Sequence, residues 1–274
     1  MMKLSGSRLG TLRGALALNH FVLIKALGQG RFGSCYLLRR DESDYVLKIF
    51  NANDVKRRKE KLAREGRFLK TIDHPAIPKL IEVIDRDGFY GLVIEKMPGH
   101  SLADLLEWDY TFTKTEITTI MGQIIVVMDY LSGLNISHRD IKTDNLLWTG
   151  QQLSLIDFGS ASPVSQLNSR FNPDFWGLGD VFLRLASSCD EMISQANGLS
   201  IAGLDLNQAQ RRVIQRLLYI EKPYCDVQAL TEDFKQAWLI KSDEMCDYHK
   251  EKSAILRLAK LYVISERGGL NCCE

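Results

Sequence analysis

From Phe21 to about Met97 the chain alternates short apolar runs with polar breaks. Phe21–Leu27, Ser34–Arg39 and Tyr45–Phe50 are separated first by glycines and then by Asp41-Glu42-Ser43-Asp44, which predicts three strands. The charged segment Asp54–Thr71 places Leu62, Phe68, Leu69 and Ile72 at helical spacings with Asp54 in the first turn, predicting a helix. Two more strands follow near Leu80–Ile84 and Phe89–Glu95. After Met97-Pro98-Gly99 the pattern is mainly helical. Thr115–Leu134 is apolar on one face, and Thr113 followed by Glu116 makes a capping box ahead of it. Short strands near Leu146–Trp148 and Leu153–Ile156 precede further helices. Strands first and helices afterwards predict an α+β protein in two lobes that meet near Met97–Ser101, with no internal repeat.

Composition adds limits. With 274 residues the chain can bury a large core, and a net charge of +1 argues against a globally basic nucleic-acid binder. None of the six cysteines forms a CxxC pair, so reduced thiols and a cytoplasmic location are expected. Cys246 and His249 have ligand-like spacing without a second pair to complete a zinc site, and Cys272-Cys273 does not fit the prenylation pattern. No apolar run reaches membrane-spanning length. The first forty residues carry Lys3, Arg8, Arg13, Lys25, Arg31, Arg39 and Arg40 and no acid. Met1–Asn19 suits a targeting leader or a membrane-surface helix, but a poorly ordered arm is the expectation adopted. The division is then 1–19 arm, 20–97 small lobe, 98–240 large lobe and 241–274 helical extension. In that extension Ser242–Val263 is amphipathic through Ile255, Leu256, Leu258, Ala259 and Tyr262, and suits either packing on the large lobe or a partner.

Four stretches carry chemistry. Gly28-Gln29-Gly30-Arg31-Phe32-Gly33 lies between two strands, unlike a dinucleotide-binding turn, and its glycines would let backbone N–H groups approach a polyphosphate. A glycine-rich hairpin is also simply a turn. Lys48 sits inside the apolar strand Val46-Leu47-Lys48-Ile49 and needs an anionic partner if buried, with Glu65 the natural choice; a Lys snorkelling from an edge strand is the alternative. The run His138-Arg139-Asp140-Ile141-Lys142-Thr143-Asp144-Asn145 is densely polar between an apolar helix and an apolar strand. Such density suits a proton acceptor, a cation for a phosphoryl group and an amide oxygen for a metal. Asp157-Phe158-Gly159 adds a second hard oxygen donor, so Asn145 and Asp157 suit Mg²⁺ held jointly with nucleotide phosphates.

In this order the motifs resemble those of eukaryotic-like (Hanks-type) Ser/Thr protein kinases, from about Phe21 to Ile240. The resemblance implies a bilobal kinase fold, its small lobe a five-stranded antiparallel sheet plus one helix and its large lobe mainly helical. It implies that Gly28, Gly30 and Gly33 cover the ATP phosphates, and that Lys48 holds the α/β-phosphates while paired with Glu65. Asp140 would accept the proton of the acceptor hydroxyl, Lys142 neutralise the γ-phosphoryl, and Asn145 and Asp157 bind Mg²⁺, or Mn²⁺ in its place. Glu95 and Met97 would form the hinge that reads adenine, with Ile94 as gatekeeper and Cys35, Val46 and Leu147 around the ring. Leu69, His138 and Phe158 match the regulatory hydrophobic spine, and Asp174 would brace the catalytic loop. Lys142 is similar to the Ser/Thr class rather than the Tyr class.

The chain also departs from the family. Asp174-Phe175-Trp176-Gly177-Leu178-Gly179 resembles the start of the helix that anchors the large lobe, yet only 174 − 157 = 17 positions separate it from Asp157 and no A-P-E motif lies between. The Arg that pairs with the A-P-E Glu in the family is also absent from Leu217–Leu230, so both partners of a buried pair are lost together. Short-segment kinases of bacterial origin are similar. The departure implies activity without loop phosphorylation, Arg139 finding a carboxylate or solvent, and an activating or docking partner in place of the lost peptide platform. The segment offers Ser160, Ser162, Ser165 and Ser169 and no Thr. Val46, where the family commonly has Ala, is expected to narrow the adenine pocket. The expected activity is ATP-dependent phosphorylation of protein hydroxyls; a small-molecule kinase and a pseudokinase scaffold are the alternatives.

Overall fold

In the computed structural model, which describes residues 6–29, 33–50, 63–166, 171–189, 192–193 and 201–239, the alternating first part forms one antiparallel sheet. Its strands are β1 (Val22–Gln29), β2 (Gly33–Arg40), β3 (Ser43–Phe50), β4 (Leu80–Arg86) and β5 (Phe89–Glu95), in the order β1-β2-β3-β5-β4. Tight turns set the register. Asp41 (φ 52°) reverses β2 into β3, and Asp87-Gly88 (φ 52° and 74°) reverses β4 into β5. Asp and Gly are residue types that tolerate left-handed backbone. Helix α2, described over 63–71, packs Leu69 into the core; the part of the expected helix from Asp54 to Leu62 lies outside the described residues.

Residues 6–19, the described part of the expected 1–19 arm, correct the expectation of a loose arm. Gly6–Ala17 is a helix, α1, and buries Leu12, Ala15 and Leu16 to 0–2% exposure. Leu12 and Leu16 share a cluster with Phe21, Tyr36, Leu38, Leu47, Ile49, Ile84, Phe89 and Val93, so α1 covers one face of the sheet. Each fully buried Leu is worth about 1.5–3 kcal/mol, enough to hold a helix whose own propensity is poor. The Asn19 amide donates to Glu82, and the Phe21 N–H to Leu16 O at 3.1 Å, fixing the exit of the helix.

The large lobe is built on α4 (Lys114–Gly133), which starts with the capping box Thr113/Glu116 and buries Ile117, Ile120, Met121, Ile124, Ile125, Val127, Met128 and Leu131. Around it lie α3 (Leu102–Glu107), α5 (Pro173–Ala186), α6 (Gln208–Leu217) and α7 (Val227–Phe234), the last running into a π turn, Lys235–Leu239. Short strands carry the polar loops: β6 (His100–Ser101), β8 (Leu146–Trp148) and β9 (Leu153–Leu155) form one ladder, β7 (Ile136–Ser137) and β10 (Ser162–Pro163) another. One core runs through both lobes, since Phe50, Leu69, Tyr90 and Leu92 cluster with Phe158, Leu155 and the helices of the large lobe. The expected helical extension, Ser242–Val263, and the cysteines Cys246, Cys272 and Cys273 lie outside the described residues.

Candidate active site

Strand β3 alternates its side chains between two environments. Leu47 and Ile49 face the cluster under α1, so Val46 and Lys48 face the other side of the sheet. Cys35 on β2 lies across from Lys48, Val46 across from Ile94, and Lys48 across from Leu92 on β5. Ile94 is half-buried and Met97 buried, Glu95 is exposed, and Leu147 on β8 is half-buried. Gly28 pairs with Cys35, and a Cβ there would meet nothing within 4 Å. At Gly33 a Cβ would lie 1.9 Å from the Ile49 carbonyl oxygen, so only glycine lets β2 approach β3 so closely. Gly30 lies outside the described residues.

The Lys48 ammonium is not snorkelling. It donates to both oxygens of Glu65 at 2.9 and 3.0 Å and to Asp157 Oδ1 at 2.5 Å, with side-chain exposures of 16% for Lys48 and 3% for Glu65. Burial alone would lower the Lys48 pKa, but the Glu65 and Asp157 carboxylates hold it well above the ordinary lysine value. Burial pushes the Glu65 carboxyl up, against the pull of Lys48. Burial also acts to raise the Asp157 carboxyl, yet Lys48 and the Gly159 N–H bring it below the usual range. The Cys35 thiol is pushed up by burial, opposed by Lys48. Asp157 takes left-handed backbone (φ 65°, ψ 77°), which points Oδ1 at both Lys48 and the Gly159 N–H. A side chain at Gly159 would intrude among Asp157 Oδ1, Lys48 Nζ and Glu65 Oε2, all 3.1–3.4 Å from its Cβ, so the glycine keeps this triad closed.

The second cluster is the loop after β7. Asp174, at the start of α5 and 5% exposed, accepts from Ser137 Oγ at 2.6 Å, the His138 N–H at 2.9 Å and the Arg139 N–H at 2.6 Å. This is the bracing expected of it. His138 Nδ1 accepts the Asp140 N–H at 3.3 Å, so Nε2 carries the proton and donates to Ile156 O at 3.1 Å. Burial holds the imidazole pKa below the ordinary value, against the pull of Asp174, and keeps the ring neutral. Asn145, 6% exposed, donates from Nδ2 to Asp140 O at 2.8 Å and Asp140 Oδ2 at 3.0 Å. Its amide oxygen is left without a hydrogen bond among the described residues. Lys142 Nζ lies 3.2 Å from the same Asp140 oxygen.

The two clusters are joined by packing. The Phe158 ring stands edge-on to His138, centroids 4.7 Å apart, and both are about 1% exposed; Phe158 belongs to the same buried cluster as Leu69. A Cβ on Gly177 would lie 2.3 Å from Ile141 O, so α5 rests directly on the loop after β7. Sequence reasoning missed Ser137, whose hydroxyl completes the set around Asp174, and Asn135 and Ser162, which tie the segment after Asp157 to this loop. Nothing in a lone Ser or Asn of a polar run announces such a partner.

The arrangement matches a known family. Residues 21–182 fit the model described as "Protein kinase domain". The "Probable serine/threonine-protein kinase YbdM" of Bacillus subtilis (strain 168) is 30% identical over 239 residues, covering 82% of this chain and 93% of that protein. "Protein kinase 3" of Dictyostelium discoideum is 32% identical over 173 residues, and "Calcium-dependent protein kinase 4" of Plasmodium falciparum (isolate 3D7) 34% over 145. The chain spans only 19% and 28% of those two longer proteins. The matched region takes in both clusters, from Gly28 to Asp174, and the bacterial relative is similar along nearly its whole length. The chain therefore belongs to the protein kinase family, on its serine/threonine side.

Proposed function

We propose that this protein kinase transfers the γ-phosphoryl of ATP to hydroxyls of a protein substrate at the two clusters around Lys48 and Asp140, without needing phosphorylation of the segment between Asp157 and Asp174. The observation that carries the reading is the linkage of the clusters: Lys48 closed on Glu65 and Asp157, and Phe158 seated on the histidine that orients Asp140.

Adenine takes the slot framed by Cys35, Val46, Ile94, Met97 and Leu147, next to the hinge backbone at Glu95 and Met97, and Gly28, Gly30 and Gly33 cover the phosphates. Val46, wider than Ala, narrows this slot. Lys48 holds the α/β-phosphates, and Glu65 keeps its ammonium in place. Asp140 orients the acceptor hydroxyl and takes its proton; the hydrogen bond from Asn145 leaves the other Asp140 oxygen for that task. Lys142, 3.2 Å from Asp140, places its charge against the γ-phosphoryl.

Two hard oxygens, Asn145 Oδ1 and the Asp157 carboxylate, suit Mg²⁺, which prefers few protein ligands and shares the rest with phosphates and water. Their supply agrees with this, since Nδ2 of Asn145 is engaged and its oxygen accepts no hydrogen bond among the described residues. Bound there, the metal neutralises phosphate charge. Substrate recognition falls to a docking surface or partner outside the short segment. The free thiols of Cys35 and Cys225 fit a cytoplasmic location, and no helix among the described residues is long and apolar enough to cross a membrane.

The test is incubation with γ-labelled ATP and Mg²⁺, followed by mapping of label in protein and in small metabolites, with Asp140→Ala as control. Label in protein that vanishes in the variant supports the reading. Label confined to small molecules, or none with tight ATP binding, would replace it with a metabolite kinase or a scaffold.

A further inference from the structure

The strand that leads into the catalytic loop, β7, is bracketed by two residues in left-handed backbone, Asn135 (φ 59°) before it and Arg139 (φ 65°) after it. Both grip the segment that follows Asp157. Ser162 and Pro163 pair with Ser137 and Ile136. Beyond that ladder the Val164 N–H donates to Asn135 O at 3.1 Å, and the Ser165 N–H to Asn135 Oδ1 at 3.3 Å. At the other end Arg139 Nη1 donates to Ser162 Oγ at 3.4 Å. Ala161 and Ser162 are 5% and 2% exposed, so this part of the segment is built into the lobe.

We propose that Asn135 is a positioning residue that does the work of a loop phosphate: it clamps the segment to the catalytic loop, so that Asp157 and Phe158 stay in place in the unphosphorylated enzyme. The inference rests on the kinase reading above and names what holds its segment in order. Two properties are needed at position 135. The backbone must take a positive φ so that its carbonyl meets Val164, and the side chain must offer an acceptor two bonds from Cβ to reach Ser165. Asn and Asp meet both conditions, Gly only the first, and Ala neither. An exposed position would otherwise tolerate all four. The chemistry also explains why Arg139 is available to Ser162. With the segment already fixed by neutral hydrogen bonds, no anion is required to hold it.

The experiment compares wild type, Asn135→Asp, Asn135→Gly and Asn135→Ala as full chains after phosphatase treatment. Residue-resolved amide exchange is read first, because it does not depend on activity. Val164 and Ser165 amides are expected to be protected in wild type and Asn135→Asp. The Ser165 amide loses protection in Asn135→Gly, and both amides lose it in Asn135→Ala. With casein as acceptor, kcat is expected to fall roughly three- to tenfold in Asn135→Gly and further in Asn135→Ala, as loss of one or two hydrogen bonds implies, with KM for ATP unchanged and Asn135→Asp active. Fast exchange of both amides in wild type overturns the clamp. So do equal kcat values in all four proteins, or an Asn135→Asp variant as impaired as Asn135→Ala. Absence of any label on casein would count against the kinase reading with this acceptor, while the exchange data still decide the clamp.

Discussion

Replacing Lys48 by Met should destabilise the fold in a pH-dependent way that a second substitution reverses. The Lys48 ammonium satisfies a Glu65 carboxylate that is 3% exposed, through two bonds of 2.9 and 3.0 Å. Removing one partner of a buried pair costs about 3–5 kcal/mol, because the survivor is left charged and unsolvated. The contact with the more exposed Asp157 adds little to this. In Lys48→Met, burial favours the neutral acid, so the folded pKa of Glu65 lies above its unfolded value, already its direction in the native protein. A carboxyl raised by folding binds more protons in the folded than in the unfolded state. Stability of the variant therefore falls as pH rises from the unfolded toward the folded pKa, by up to about 1.4 kcal/mol per pH unit. Urea unfolding at pH 5.5 and pH 8 should show the larger loss at pH 8. Lys48→Met with Glu65→Leu, which removes both charges, should recover at least about 2 kcal/mol. A loss below about 1 kcal/mol at both pH values, or a double variant no better than the single, would refute the claim that this pair is a buried, mutually dependent one.

Other expectations follow from the same structure. Gly10 and Gly14 lie in α1 with nothing within 4 Å of an added Cβ, so Gly10→Ala with Gly14→Ala should stabilise by about 1–2 kcal/mol and raise Tm by several degrees in calorimetry, with kcat unchanged. Gly177→Ala should do the reverse. Its Cβ would sit 2.3 Å from Ile141 O and push the catalytic loop off α5, and the loss of kcat should exceed the loss of ATP affinity measured by titration. His138 has its pKa lowered by burial despite Asp174, Asp157 and Asp140 nearby, so its contribution is present above the unfolded value of about 6.5 and is lost as pH falls below it. His138→Asn should flatten the acid side of the stability profile by up to about 1.4 kcal/mol per pH unit below pH 6.5, while His74, which shifts the same way, remains in both proteins.

The five strands were legible because apolar alternation and Gly or Asp breaks coincide, and the Thr113/Glu116 box because a cap is a local signal. The pairing of Lys48 with Glu65 was legible for a different reason: an ammonium in an apolar strand has few physical solutions. Helix α1 was not. Three glycines in twelve residues and only Leu12, Ala15 and Leu16 as a buried stripe look like a loose arm, and tertiary burial overrides that propensity. Asn135 and Ser162 were missed because their roles depend on a left-handed backbone and on a ladder between distant stretches, neither of which leaves a periodicity. Arg139, expected to meet a carboxylate or solvent, is exposed and in addition reaches the Ser162 hydroxyl, because the segment folds back on β7.

The missing Arg in Leu217–Leu230 also acquires a physical account. Just before that stretch, Arg216 pairs with Asp233 and lies over the Tyr224 ring, 3.8 Å from its centroid. Tyr224 is 5% exposed, donates its hydroxyl to Asp233 at 3.1 Å and packs edge-on against Phe175 of α5. Burial, reinforced by Asp233, raises the phenol pKa and keeps it a donor. At this junction of α5, α6 and α7 the Arg216 charge is thus answered by Asp233 from within the helices rather than by a carboxylate of the segment after Asp157. With Arg216 already paired to Asp233, that guanidinium needs no A-P-E Glu to answer it. The segment after Asp157 must then be secured elsewhere, and the available anchor is the ladder on β7 with Asn135 at one end and Arg139 at the other.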